Sequence, residues 1–289
     1  MLLILTTLIS PVILSVVGSL TFWRPTIWYE GVYRVAIMLI GGFVFMVFFW
    51  FIFCYLMSLF VKKKIYTEQS KWALFWLKQG HDAMLFFARV KTRIHGKKKL
   101  HIEQNKKFLL VCNHRSIFDS MVMTSKLNQY EIAFITKKAN YKIPFFGRFL
   151  YGACFYAVDR EDHIQSLQVF HQASDLILNG KANVGVFPEG TRQNDTIIGD
   201  FHEGVFNIAL RAKCPIVVVT ADGGEEVKHN FPWKRTYVDI DILGVINYDE
   251  IESETAKSIS DRIKAIMTDH LEKIDILRHQ RKFEKKANK

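Results

Sequence analysis

The sequence predicts an α/β fold, in which a mixed central sheet is flanked by helices and is preceded by an N-terminal membrane helical hairpin. Two long stretches near its start carry no charged residue. Beyond them, short apolar runs alternate with amphipathic helical patterns, which is typical of a sheet with helices on both faces. We therefore predict three parts: a membrane-anchoring hairpin over 1–64, a globular domain over 65–250, and a charged C-terminal helix with a basic tail over 251–289.

The first part carries two charge-free segments, Leu2 to Trp23 and Ala36 to Val61. A membrane-spanning helix needs roughly 20 apolar residues, so both segments qualify by length. Lys62 to Lys64 place the exit of the second segment in the cytoplasm, because basic residues concentrate in cytoplasmic loops. We expect a hairpin with both ends cytoplasmic; the alternative is two helices lying partly in one leaflet. Neither segment holds an Asp, Glu, Lys, Arg or His, so both indicate an anchor and not a transport path.

Charge and cysteine content narrow the class of partner. The formal charge is +11, from 39 basic and 28 acidic residues, which favours a polyanionic partner. No zinc-finger spacing or aromatic RNA-binding signature accompanies the basic clusters, so we expect an anionic membrane surface and no nucleic acid. Four cysteines occur in apolar runs without a C-x-x-C pair. They are expected to be buried free thiols, and no metal site is predicted from them.

Within the globular part, short apolar runs predict buried strands, and amphipathic runs predict helices between them. The strand runs are Phe108 to Cys112, Ile132 to Ile135, Phe155 to Val158, Val184 to Phe187 and Ile216 to Thr220. The helical runs are Ser70 to Ala88, Ile164 to Leu178 before Gly180, and Thr255 to Lys285. Between Tyr237 and Ile242, apolar residues alternate with aspartates, which predicts a half-exposed edge strand.

The stretch from Asn113 to Asp119 follows the first predicted strand and holds a histidine with a carboxylate five residues later. Residues five apart do not share a helix face. His114 and Asp119 can therefore meet only if His114 lies in the loop and Asp119 in the first helical turn. Ser116 suits the N-cap of that helix, and Ser-x-x-Asp is equally a capping box without catalysis. The catalytic interpretation is a general base, His114, whose tautomer Asp119 fixes.

A second polar stretch, Phe187 to Arg192, also follows a buried apolar run. Its Pro188 and Gly190 are typical of a tight turn. Arg192 offers a planar, permanent charge that suits a phosphate, and Glu189 can bond a substrate hydroxyl or hold nearby arginines. The alternative is a surface loop with an ion pair.

The segment between these stretches contains two basic positions, Lys137 and Arg160, on either side of Ile143 to Gly147. Taken alone, it can be a basic surface loop, an apolar turn and an ion pair. Phe145 and Phe146 can instead line an acyl groove or face the bilayer.

In this order, the three stretches resemble the phospholipid-synthesis acyltransferases, the family of bacterial 1-acyl-glycerol-3-phosphate acyltransferases and their eukaryotic relatives. The Asn-His-x-x-x-x-Asp motif is present at Asn113 to Asp119, and the Phe-Pro-Glu-Gly-Thr-Arg motif at Phe187 to Arg192. Lys137 and Arg160 match the family's second block. The resemblance covers residues 108–219, and Cys154 departs from it, because many members carry a glycine there.

The resemblance implies a glycerolipid acyltransferase-like fold and makes 65–250 the catalytic domain of a membrane-bound O-acyltransferase. It implies transfer of an acyl group from acyl-CoA or acyl-carrier protein to the free hydroxyl of 1-acyl-glycerol 3-phosphate, giving phosphatidate. His114 is expected to deprotonate the hydroxyl, and Asp119 to orient His114. The residues expected around the acceptor phosphate are Lys137, Arg160, Glu189, Gly190, Thr191 and Arg192. A thioester is already activated, so no cofactor or metal is expected.

Other functions stay open from the sequence alone. The acceptor can be glycerol 3-phosphate, another lysophospholipid or a lyso-aminolipid. A rival from a different class is a non-catalytic membrane lipid-binding protein of the same fold, although such a protein needs no base beside a carboxylate. A lipid hydrolase with Ser116 as its nucleophile is disfavoured, because the sequence has no Gly-x-Ser-x-Gly elbow.

Overall fold

A computed structural model describes residues 2–22, 28–100, 106–159, 161–192 and 198–287. Its helices are α1 (Leu2–Phe22), α2 (Trp28–Leu59), α3 (Lys71–Phe87), α4 (Ile117–Lys126), α5 (Phe146–Gly152), α6 (His163–Leu178), α7 (Asn207–Ala212), α8 (Val227–Asn230) and α9 (Ala256–Ala287). Its strands are β1 (Val90–His95), β2 (Leu109–Cys112), β3 (Ile132–Phe134), β4 (Thr136–Lys137), β5 (Ala157–Val158), β6 (Asn183–Val186), β7 (Ile216–Asp222) and β8 (Thr236–Ile246).

The first two helices pack side by side as an antiparallel hairpin. Pro11 of α1 lies against Gly42 of α2, where an added Cβ would be 3.2 Å from the proline Cβ. Further along α1, Gly18 lies against Met38. Residues later in α1 therefore contact residues earlier in α2, so the two helices run in opposite directions.

One of the described helices, Val32–Leu59, is long and apolar enough to cross a bilayer. Few of its side chains are buried against the rest of the protein. Leu2–Gly18 is a shorter apolar helix. The predicted hairpin is thus present, with one helix of spanning length by this measure.

Six strands of the described chain form one mixed sheet in the order β1-β8-β7-β2-β6-β3. Neighbouring strands are parallel except for β7 and β8, which are antiparallel. β4 and β5 form a separate parallel pair, so the predicted run from Phe155 to Val158 lies outside the main sheet. The other four predicted strands lie in the sheet, and the predicted mixed α/β fold is confirmed.

Helices cover both faces of this sheet, as the alternation along β2 shows. Leu110 and Cys112 point into the apolar layer that includes residues of α3, α4 and α5. Leu109 and Val111 point into the opposite layer, which includes residues of α6, α7 and α9. Because successive strand residues face opposite sides, a strand buried on both faces reads as a continuous apolar run.

Cap chemistry sets the ends of the predicted helices. Ser70 precedes α3 and accepts a hydrogen bond from the N–H of Ala73. Gly180 follows α6 in the left-handed region, with φ of 65°, a conformation that glycine adopts at little cost. The charged helix predicted from Thr255 forms as α9, whose buried stripe includes Ile259 and Ile263.

The expectation that the strand after Tyr237 lies at an edge is wrong. β8 lies between β1 and β7, and β1 is the edge strand. Tyr237 is half exposed, whereas Val238 and Ile240 are fully buried. Alternation indicates that one face of a strand is half exposed, but it does not indicate an edge position. The pattern Val-Lys-Thr-Arg-Ile-His of β1 is mixed, so β1 was not predicted as the strand that pairs with β8.

Candidate active site

Both predicted motifs leave the same edge of the sheet. β2 and β6 are parallel neighbours, with Val111 opposite Val186, so the loops that follow them start side by side. The amide of Asn113 fixes the first loop. Its Nδ2 donates to the carbonyl of Ala221 at 2.9 Å, and its Oδ1 accepts from the N–H of Ala221 at 2.8 Å. Asn113 therefore joins the end of β2 to β7 as a backbone peptide would.

His114 and Asp119 meet as their spacing predicted. His114 Nδ1 lies 3.1 Å from Oδ2 of Asp119, whose side chain is fully buried. The same Oδ2 accepts from the N–H groups of Arg115 at 2.8 Å and Ser116 at 2.7 Å. Ser116 and Asp119 also form a capping box at the start of α4. The capping interpretation and the base-orienter interpretation are therefore one arrangement.

The second oxygen of Asp119 lies against backbone. Its Oδ1 has no hydrogen-bond partner among the described residues. A Cβ added to Gly224 would lie only 2.7 Å from it and 2.9 Å from the Cβ of Ser116. The segment after β7 therefore closes over the carboxylate, and glycine is needed there because of the close approach.

Phe187 holds the imidazole from its other side. Its ring stacks on that of His114, with centroids 4.2 Å apart and planes 27° apart. Phe134 stacks in turn on Phe187, at 5.5 Å. With Nδ1 held by Asp119 and the ring face held by Phe187, Nε2 is the nitrogen left for a substrate.

Glu189 is not among the residues that line the cavity, and its predicted place beside the acceptor phosphate stays a prediction. The side chain is buried, with Oε1 accepting from the N–H of His114 at 2.7 Å and Oε2 from that of Gly199 at 2.9 Å. Burial raises the pKa of this carboxyl. A buried carboxylate bonded to two backbone N–H groups positions loops, so Glu189 ties the histidine loop to the segment that resumes at residue 198.

Most of the remaining predicted site residues line one cavity together with His114. Gly190 adopts φ of 66°, which lets the chain turn after Glu189. Gly190, Thr191 and Arg192 line the same cavity as His114, and Lys137 lines it from β4. Arg160 lies outside the described residues.

The cavity has a volume of about 970 Å³, at the upper end of the range for small-molecule sites. Its lining includes both apolar and basic side chains. The apolar ones include Ile117, Met121, Phe146, Leu150 and Phe155, and the polar or basic ones include Lys137, His163, Arg192 and His202. Such a cavity suits an amphiphile, with His114 within its wall.

His81 is a cavity residue that was not predicted from the sequence. It lies on α3, buried, with its ring tilted against that of Phe146 at 5.3 Å. Its Nδ1 has no hydrogen-bond partner among the described residues. Burial lowers the pKa of His81 to about 4, although the charge of Asp82 acts in the opposite direction.

This lowered pKa predicts acid sensitivity. The folded state favours neutral His81, so its contribution to stability is complete above the unfolded pKa of 6.5 and is lost as the pH falls through about 4. The shift corresponds to about 3 kcal/mol. We expect His81→Gln to flatten the fall in the denaturation midpoint between these pH values, whereas His171→Gln, at an exposed position on α6, leaves it unchanged. Equal slopes for His81→Gln and wild type would contradict this assignment.

An ion pair behind the site was also not predicted from the sequence. Arg115 is buried, and its Nη1 donates to Oδ1 of Asp222 at 2.5 Å. Asp222 ends β7, 107 positions away along the chain. No local pattern links these residues, so only the fold brings them together.

Comparisons with known proteins show which family and which relatives this chain is similar to. The family described as Acyltransferase matches residues 91–221. The 1-acyl-sn-glycerol-3-phosphate acyltransferase of Saccharomyces cerevisiae is 24% identical over 205 residues, covering 68% of this chain and 67% of the yeast protein. That of Cocos nucifera is 24% identical over 169 residues, covering 58% of this chain and 54% of the coconut protein. A Caenorhabditis elegans relative is matched over 45% of its length, so the chain spans about half the length of these last two relatives.

The fold has a counterpart among solved structures. The crystal structure of the 1-acyl-sn-glycerophosphate acyltransferase PlsC from Thermotoga maritima aligns with a TM-score of 0.55 and 21% identity, covering 71% of this chain and 80% of that chain. This likeness shows a shared α/β fold. The match over 91–221 shows that this part of the chain is similar to the acyltransferase family.

Proposed function

We propose that this protein is a membrane-bound acyltransferase that moves an acyl group from acyl-CoA or acyl-carrier protein to the free hydroxyl of lysophosphatidate, giving phosphatidate. The observation that carries the proposal is the bond between His114 Nδ1 and Asp119 at 3.1 Å, where His114 lines a cavity that has both apolar and basic side chains. The relatives' names, which specify this acceptor, support the choice of substrate.

The chemistry is a single displacement. Nε2 of His114 removes the proton of the acceptor hydroxyl as the oxygen attacks the thioester carbonyl. The new C–O bond forms, the C–S bond breaks, and the leaving thiolate takes the proton back from the imidazolium. Buried Asp119 stabilises the imidazolium while it exists, and Phe187 keeps the ring in plane. General base catalysis of this kind contributes roughly 10²–10⁴-fold, and binding both substrates side by side contributes much of the rest.

The cavity lining supports binding of both the phosphate and the acyl chain of the acceptor. Lys137 and Arg192 supply positive charge for the acceptor phosphate, and arginine can bind a phosphate with two parallel hydrogen bonds. The apolar wall around Met121, Phe146 and Phe155 accommodates acyl chain. Gly190 and Thr191 line the wall beside Arg192, where backbone and hydroxyl groups can bond phosphate oxygens.

The hairpin of α1 and α2 holds this cavity at the membrane. The described span Val32–Leu59 anchors the protein, and Lys62 to Lys64 keep the following domain on the cytoplasmic side, next to anionic lipid. The acceptor and product both reside in the bilayer, whereas the donor arrives from the cytoplasm. An active site at the surface gives access to both.

The test is an acceptor panel. Detergent-solubilised protein is incubated with acyl-CoA and with lysophosphatidate, glycerol 3-phosphate, other lysophospholipids or a lyso-aminolipid, and free thiol release is followed. We expect release that depends on lysophosphatidate. Release with a different acceptor identifies that acceptor, and release with none indicates a hydrolase. If no acceptor gives release, the assay is repeated with acyl-carrier protein, and a second negative result favours the lipid-binding protein.

Arg192→Ala is expected to raise KM for lysophosphatidate about tenfold or more with a smaller change in kcat, because it removes a charge-assisted phosphate contact. Arg192 is exposed and has no ion-pair partner in the described part of the chain, so folding should be unaffected. The control is Lys91→Ala, which removes an exposed cation on β1 away from the cavity. An unchanged KM in Arg192→Ala argues against phosphate binding by this side chain.

A further inference from the structure

A turn with two outward aromatic side chains lies at the same sheet edge as His114. We call residues 227–235 the aromatic–basic turn. Phe231 is 53% exposed and Trp233 is 85% exposed, the highest value among large apolar side chains whose surroundings are described. The turn contains no acidic residue, and its exposed cations are Lys228, Lys234 and Arg235.

The turn is held by its own hydrogen bonds. The N–H of Phe231 donates to Val227 at 2.9 Å, and that of Lys234 donates to Asn230 at 2.7 Å. Asn230 Nδ2 donates to Thr236 Oγ1 at 3.1 Å, and Val227 is buried. A fixed backbone therefore presents two aromatic rings to the outside without using them in the core. Large exposed apolar groups on a fixed support mark an interaction surface.

The charges of the turn have no partner within the protein as far as it is described. None of its three cations forms an ion pair with a described residue, although ion pairs occur on neighbouring strands, such as that of Arg93 with Asp239. The turn therefore combines a net charge of +3 with exposed aromatic surface, which complements an anionic, partly apolar partner.

The end of α3 adds to this surface. The carbonyl of Arg89 accepts from the N–H of Thr236 at 3.2 Å. Thr236 follows the turn and Arg89 follows α3, so the turn lies beside the end of α3. Phe86 and Phe87 are 49% and 44% exposed there. At the other end of α3, Trp72 Nε1 donates to the carbonyl of Met57 in α2 at 3.3 Å. α3 thus connects the candidate span to the aromatic–basic turn over about 25 Å.

We propose that the aromatic–basic turn, with Phe86 and Phe87, is a second membrane contact that docks on a bilayer surface rich in anionic lipid. Aromatic rings favour the headgroup region, and each cation near an anionic surface strengthens binding roughly fivefold. The proposal rests on the membrane attachment in the proposed function but not on acyl transfer. Docking at this edge turns the face that carries His114 towards the lipid surface.

The test places a fluorescent reporter on the turn of the full chain. Trp233→Cys is made in a Cys54→Ala background, because the other three cysteines are buried, and is labelled with an environment-sensitive bimane. The matched control is Ser253→Cys, an exposed position after the carboxyl end of β8. Since β8 is antiparallel to β7, this position lies at the opposite edge of the sheet. Both proteins are reconstituted into vesicles and recovered by flotation, so that unbound protein does not contribute.

We expect the Trp233→Cys label to shift its emission to the blue, and to be quenched by headgroup-linked nitroxide lipid, in vesicles with 30% phosphatidylglycerol. The Ser253→Cys label should show neither change. Replacing Lys228, Lys234 and Arg235 together by glutamine should reduce the quenching severalfold, and 0.5 M salt should do the same. These readouts need no turnover, so their failure is separate from failure of the acyl-transfer proposal.

Two results would overturn the assignment. The first is a Trp233→Cys label that stays as water-exposed as the Ser253→Cys label in anionic vesicles. The second is emission that follows protein density and not lipid charge, which would indicate contact between copies of the chain.

Discussion

His114→Ala should lower kcat for acyl transfer by roughly 10²–10⁴-fold, because it removes the group that takes the acceptor proton. Folding should change little, since the side chain is partly exposed and its bond to Asp119 and its stacking on Phe187 are its main described contacts. The measurement is acceptor-dependent thiol release, with denaturation midpoints recorded in parallel.

The control is His171→Ala, which removes an exposed histidine on α6 outside the cavity. It should retain wild-type activity. Activity near the wild-type level in folded His114→Ala would remove the general base from the proposed mechanism, whatever the geometry of the pair.

Asp119→Ala should affect both activity and stability. It leaves the N–H groups of Arg115 and Ser116 without their acceptor in a buried loop. An unsatisfied buried group costs about 1–3 kcal/mol, so we expect a loss of roughly 2–5 kcal/mol in the free energy of unfolding. Transfer should fall as well, because His114 loses the carboxylate that orients it.

Asp119→Asn separates these two effects. The amide keeps an oxygen that can accept the backbone bonds but carries no charge to stabilise an imidazolium. We expect most of the stability to return while kcat stays at least about 10²-fold below wild type, since the amide has no charge to stabilise the imidazolium of His114. Chemical denaturation and initial rates on the two variants provide the comparison. If Asp119→Asn restores both stability and kcat, the role of Asp119 is capping alone.

Local chemistry explains why much of the site was predictable. His114 to Asp119 is a loop followed by an N-cap, and the bonds of Asp119 to His114, Arg115 and Ser116 join residues within five positions. The left-handed turn at Gly190 is equally local. Such interactions are encoded by residue type and spacing, which is why the meeting of His114 with Asp119 followed from the sequence.

Long-range contacts explain what the sequence did not predict. Glu189 bonds the N–H of His114, 75 positions away, and only the parallel pairing of β2 with β6 brings them together. The stack of Phe187 on His114 depends on the same pairing. β8 was wrongly predicted to be an edge strand, because its alternation indicates one exposed face but does not indicate that β1 pairs with it. The role of Arg160 and the domain bounds 1–64, 65–250 and 251–289 stay predictions.

The most direct measurement follows the acyl group itself. Wild-type protein in vesicles receives ¹³C-acyl-CoA and lysophosphatidate, and the labelled lipids are identified by mass spectrometry while free thiol is counted. We predict labelled phosphatidate in a one-to-one ratio with released thiol, with both products lost in His114→Ala. Labelled free fatty acid without labelled phosphatidate, or phosphatidate formed at the wild-type rate by His114→Ala, would contradict base-catalysed transfer to the lysophosphatidate hydroxyl.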